Sequence, residues 1–121
     1  IEAILKFYNK KYTEEEVQYA FRSFVTKAGV LVEEYYDDQY PRLDKPLIDV
    51  MPGRTYWKIV KGSDENGWSV YGFVRKSDGA IFKAASWKRP FTKGPSAVRG
   101  YVTDMSNGMD SITPYGVKYA H

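Results

Sequence analysis

Apolar residues recur between positions 14 and 37 at alternating steps of four and three: Val17, Phe21, Phe24, Ala28, Leu31 and Tyr35. That spacing draws one apolar stripe along a helix. Thr13 stands where an N-cap belongs, with Glu16 three residues on to complete a capping box. Glu14 and Glu15 favour the positive start of the same helix. Gly29 interrupts the run, since glycine weakens a helix interior. The periodicity continues past it, so one long helix of about 14–37 is predicted. A shorter helical pattern over residues 2–9 precedes it and ends in Asn9-Lys10-Lys11. Pro41 ends the long element, and residues 39–53, with Pro46 and the Pro52-Gly53 turn, read as a connector.

From there the period changes to two. Strands are predicted at Thr55–Val60, Trp68–Arg75, Ala80–Ser86, Arg99–Thr103 and Val117–Ala120. A polar turn over Gly62–Gly67 and an Asp78-Gly79 hairpin turn separate the first three. The class is α+β: N-terminal helices packed on an antiparallel meander, in a single domain spanning 1–121. Its helical part covers about 1–40 and its β part about 46–121. Alternation sorts the strands into two faces. Trp57, Ile59, Val70, Val74, Phe82 and Ala84 suit packing against the helix. Tyr56, Lys58, Tyr71, Phe73, Arg75, Ile81 and Lys83 share the other face, mixing aromatics with cations. That mixture stacks bases and neutralises phosphates. The plainer reading is that Tyr71 and Phe73 pack under the C-terminal tail.

Composition narrows the chemistry. The chain of 121 residues has no cysteine, and its one histidine is His121, the last residue. Thiolate and imidazole metal sites, cysteine nucleophiles and the commonest general base are therefore missing. The adjacent carboxylates Glu33-Glu34 and Asp37-Asp38 point to different sides of an element and read as solvated charge. The expectation is a protein without catalytic residues, metal or cofactor. No apolar run approaches the ~18–20 residues a bilayer crossing needs, and no signal peptide is visible. A soluble cytoplasmic protein with no membrane partner is expected.

Charge divides the chain. Residues 1–50 hold seven Lys and Arg against ten Asp and Glu, while residues 51–121 hold eleven against five. The basic half points to a polyanionic partner, unless the acidic half covers it. Lys88, Arg89, Lys93 and Arg99 lie close together, interrupted by Pro90, Gly94 and Pro95. Such a loop offers amides and cations to an anion.

The run Gly79-Ala80-Ile81-Phe82-Lys83-Ala84-Ala85-Ser86-Trp87-Lys88, with Pro90 and then Arg99-Gly100, resembles a signature of small uncharacterised tailed-phage proteins. Those proteins carry Gly-Asp-Ile-Tyr/Phe-Lys-Pro/Ala-Ala-Ser-Trp-Lys-x-Pro, ending in Arg-Gly-Asn. Gly53-Arg54-Thr55-Tyr56-Trp57-Lys58-Ile59-Val60 resembles an upstream strand of the same group. The chain departs from the pattern in a longer 91–98 loop and in Tyr101, where asparagine is usual. The resemblance implies a viral setting in the cytoplasm of an infected bacterial host.

Three functions follow as expectations. The first is capture of a small phosphate-bearing nucleotide, such as a host defence signal. Arg54, Lys83, Lys88, Arg89 and Arg99 would hold its phosphates, and Phe82 or Trp87 would stack its base. The pocket would be shared within a homo-oligomer built through the long helix. The second is single-stranded nucleic-acid binding on the face of Tyr56, Lys58, Tyr71, Phe73, Arg75 and Lys83. The third is inhibition of a host protein through Glu33, Glu34, Asp37 and Asp38.

Overall fold

A computed structural model describes residues 12–118. The capping box forms: Thr13 N–H donates to Glu16 Oε1 at 2.9 Å, and Glu16 N–H to Thr13 Oγ1 at 3.1 Å. Helix α1 then runs Glu14–Gln39 without a break at Gly29. It ends at Tyr40, whose N–H bonds the Tyr36 carbonyl, because Pro41 cannot continue the ladder. Its buried stripe is Val17, Phe21, Phe24, Ala28 and Val32. Thus Val32 takes the place expected for Leu31, which is only half-buried, and Tyr35 sits at the margin. The helix expected over residues 2–9 lies outside the described residues.

Among the described residues seven strands follow: β1 Leu47–Pro52, β2 Tyr56–Ser63, β3 Gly67–Arg75, β4 Ala80–Phe82, β5 Gly100–Tyr101, β6 Ile112–Thr113 and β7 Gly116–Val117. The first five form one antiparallel sheet in sequence order, and β6 and β7 form a separate hairpin. The class is therefore α+β, a long helix on an antiparallel meander. Strand β1 lies within the stretch read as a connector. The strand expected to reach Ser86 stops at Phe82, and residues 119–120 of the last predicted strand lie outside the described residues.

Both faces of the sheet are covered. On one, Phe21, Phe24, Ala28 and Val32 of α1 pack with Ile59, Tyr71, Val74 and Ile81. Trp57 joins them, stacked on Phe21 with ring centroids 4.0 Å apart. On the other, Phe73, Ala80 and Phe82 pack with Ala97, so the loop after β4 returns across the sheet. Val98, Val70, Ala84 and Tyr56 complete that second cluster.

The predicted sorting of faces is corrected in two places. A bulge pairs Ile59 with Gly72 but Val60 with Val70, leaving Tyr71 as the extra residue. Tyr71 thereby joins the helix-side core and Val70 the other one. The β3–β4 connection holds four residues, Lys76 to Gly79, so Val74 pairs with Ile81 and Phe73 with Phe82. Ile81 faces the helix, whereas Phe82 and Ala84 face away. Arg75 locks this turn through two bonds to Asp78, at 3.0 and 2.7 Å. The same guanidinium holds the Asp78 carboxyl below the usual carboxylate range.

Candidate functional site

The β6–β7 hairpin closes over the middle of β3, at Tyr71 and Gly72. Tyr71 buries its ring beneath it and donates its hydroxyl to the Thr113 carbonyl at 2.6 Å. Gly72 permits this approach, because a Cβ there would stand 2.5 Å from a Val117 methyl. Between hairpin and sheet lies a cleft of about 700 Å³, floored by Val70, Tyr71 and Ala84 and walled by Thr113, Tyr115 and Val117. Lys83 and Lys118 line it, and no carboxylate does among the described residues. Four other clefts each carry at least one: Glu15 with Glu16 and Asp104, Asp78 with Asp104, Glu14, and Glu33.

A third cation lies against Tyr115, outside the cleft lining. Lys61 donates to the Pro114 carbonyl at 3.3 Å, and its Nζ stands 5.7 Å from the Tyr115 ring centroid. Burial disfavours its charged form and lowers its pKa. The Tyr115 hydroxyl is hydrogen-bonded to that of Tyr35, which ties the hairpin tip to the end of α1. That bond raises the pKa of Tyr35. Burial does the same for Tyr71, so both phenols stay protonated at neutral pH.

Of the phosphate-holding residues predicted from sequence, the structure brings Lys83 alone into this cleft. Trp87, Lys88 and Arg89 stand exposed on a small hairpin bridged by Ala84 and Pro90. Arg54 occupies the β1–β2 turn, beyond the Tyr56–Arg75 pair and toward the other end of the ladder. Arg99 follows the covering loop on the β5 side of β4, and its N–H bonds the Ile81 carbonyl at 2.8 Å. Its Nε and Nη1 are buried with no hydrogen-bond acceptor among the described residues. Phe82 cannot stack a base: it is 2% exposed.

The alternative sheet face is corrected likewise. Tyr71 and Phe73 are each 3% exposed, the first under the C-terminal hairpin and the second under the 83–98 loop. Tyr56 packs edge-on against Phe73 and Phe82, and Arg75 is held by Asp78. Lys58 reaches outward, its Nζ 4.1 Å from the Trp87 ring centroid. On the acidic helix end, Lys45 pairs with Asp37 at 2.6 Å and with Glu33 at 3.5 Å. Sequence reasoning missed Lys61, Tyr115 and Lys118, because the alternation that flags strands says nothing about where a tail hairpin docks.

Fold and cleft together define a helix-backed antiparallel sheet with a cationic recess beneath its C-terminal hairpin. The chain belongs to a family of unknown function, DUF7717, whose model matches residues 5–110. The match includes Lys61, Lys83 and the Trp87 hairpin, while Thr113–Lys118 lie beyond it. No curated protein and no solved structure matches the chain. No helix among the described residues is long and apolar enough to cross a membrane.

Proposed function

We propose that this protein captures a small phosphate-bearing nucleotide in the cleft between β3, β4 and the C-terminal hairpin, without transforming it. The observation that carries the reading is a recess of about 700 Å³ lined, among the described residues, by Lys83 and Lys118 and by no carboxylate. Its volume falls within the ~300–1,000 Å³ of small-molecule sites. A phosphate entering it meets two ammonium groups, with Lys61 behind Tyr115 as a third source of positive potential. The apolar floor accepts a base or sugar edge. The outer face of α1 exposes two large apolar side chains, Tyr19 and Val30. The reading therefore places the pocket within one chain rather than across a helical interface. In the viral setting that the sequence resemblance implies, such capture would withdraw a host signal.

Isothermal titration with a panel of linear and cyclic nucleotides, beside the parent nucleosides, tests this. One or more nucleotides bind and the nucleosides do not. Lys83→Ala and Lys118→Ala each weaken that binding by about 10-fold or more, the scale of a lost charge-assisted hydrogen bond. Equal affinity for nucleoside and nucleotide, or unchanged binding in both variants, would refute the reading.

A further inference from the structure

A second surface begins at the cleft, whose lining residues Lys83 and Ala84 form its base, and extends away from it. After β4 the chain folds back on itself: Phe91 N–H donates to the Lys83 carbonyl at 2.7 Å, and Ala84 bridges Pro90. At the tip, Ala85 and Ser86 N–H both bond the Arg89 carbonyl, at 2.9 and 3.2 Å. Ser86 Oγ accepts from Lys88 N–H at 3.3 Å. These bonds hold the turn in one shape. Trp87 is nevertheless 43% exposed and Phe91 42%, a large area of ring to leave in water. Lys88, Arg89 and Lys93 are exposed beside them, and Lys58 from β2 lies over the Trp87 ring. Residues 79–103 contain no Asp or Glu.

We infer that this hairpin is a docking surface for single-stranded nucleic acid. Two exposed rings offer π-faces on which unpaired bases stack, and the cations beside them meet the phosphates between those bases. The Lys58 contact pre-positions Trp87, so less freedom is lost when a base stacks on it. A duplex would offer no unstacked base to these rings. A lipid surface fits less well, because interfacial binding scales with buried apolar area and this turn exposes only the two rings Trp87 and Phe91 among its large apolar side chains. The sheet face expected to bind a strand is buried, and this hairpin carries the accessible aromatic and basic side chains instead.

Fluorescence anisotropy of a labelled oligothymidylate tests the inference, with duplex DNA and phosphatidylglycerol vesicles as parallel probes. Wild-type protein binds the single strand more tightly than the duplex. Trp87→Ala weakens this about 5- to 100-fold, while Trp87→Phe, which keeps a stacking ring, retains most of it. Lys88→Ala with Arg89→Ala shrinks the slope of log affinity against log salt by about 1.4. Circular dichroism confirms that each variant is folded. No binding at low salt, equal affinity in Trp87→Ala, or binding of vesicles without the oligonucleotide would each overturn the inference.

Discussion

Gly29 sits inside a 26-residue helix, where glycine costs backbone entropy. The helix persists because Phe24, Ala28 and Val32 anchor both sides of it in the core. A Cβ added at Gly29 would meet nothing within 4 Å among the described residues. Gly29→Ala is therefore expected to stabilise the protein by about 0.5–1 kcal/mol. The urea midpoint should rise with an unchanged slope; a fall would mean that the space is occupied. Residues whose roles are set by near neighbours were legible in the sequence. The Thr13–Glu16 capping box is an example, since both partners lie within one helical turn. Tyr71 was not, because a bulge against β2 decides which way its ring points. Nor was Phe82, whose face depends on the length of the turn that Arg75 and Asp78 hold.

At the scale of elements, the helix and the β2–β3–β4 meander follow from periodicity, whereas β1 was hidden by its flanking prolines. Pro46 and Pro52 suggested a connector, yet Ile48 and Val50 alternate toward the core within it. The prolines have a place there. Gly53 N–H bonds the Tyr56 carbonyl, so β1 residues of the opposite parity turn their backbone groups away from β2. On that outer edge Pro52 offers no N–H, and the Val50 N–H is taken by Asp49 Oδ1 at 2.8 Å. Strand edges are commonly blunted in such ways against pairing with other chains. Asp49→Ala should reopen the Val50 donor and raise the weight-average mass in concentrated solution, read by light scattering after size exclusion. Identical masses for variant and wild type would show that the carboxylate does not guard the edge.

At the scale of the whole molecule, the uneven charge of the sequence acquires a location. The basic half folds into the sheet, the covering loop and the tail, while Lys45 engages two of the four acids at the end of α1. Sequence alone left two readings of the second sheet face, open to a ligand or packed under the C-terminal tail. The loop after β4 covers it instead, and cations border both the recess beneath the C-terminal hairpin and the tip of the Trp87 turn, while Arg54 stands exposed apart from both at the β1–β2 turn. Lys83 was legible as a candidate from its place in a basic strand. Lys118 was not, because only the docking of β6–β7 on β3 brings it to the same cleft. Amide chemical shifts recorded while a phosphate-bearing nucleotide is titrated into the labelled protein test the central claim most directly. The account predicts saturable shifts centred on Lys83, Ala84, Gly116, Val117 and Lys118, and none with the matching nucleoside. Shifts centred elsewhere, or the same shifts without the phosphate, would contradict it.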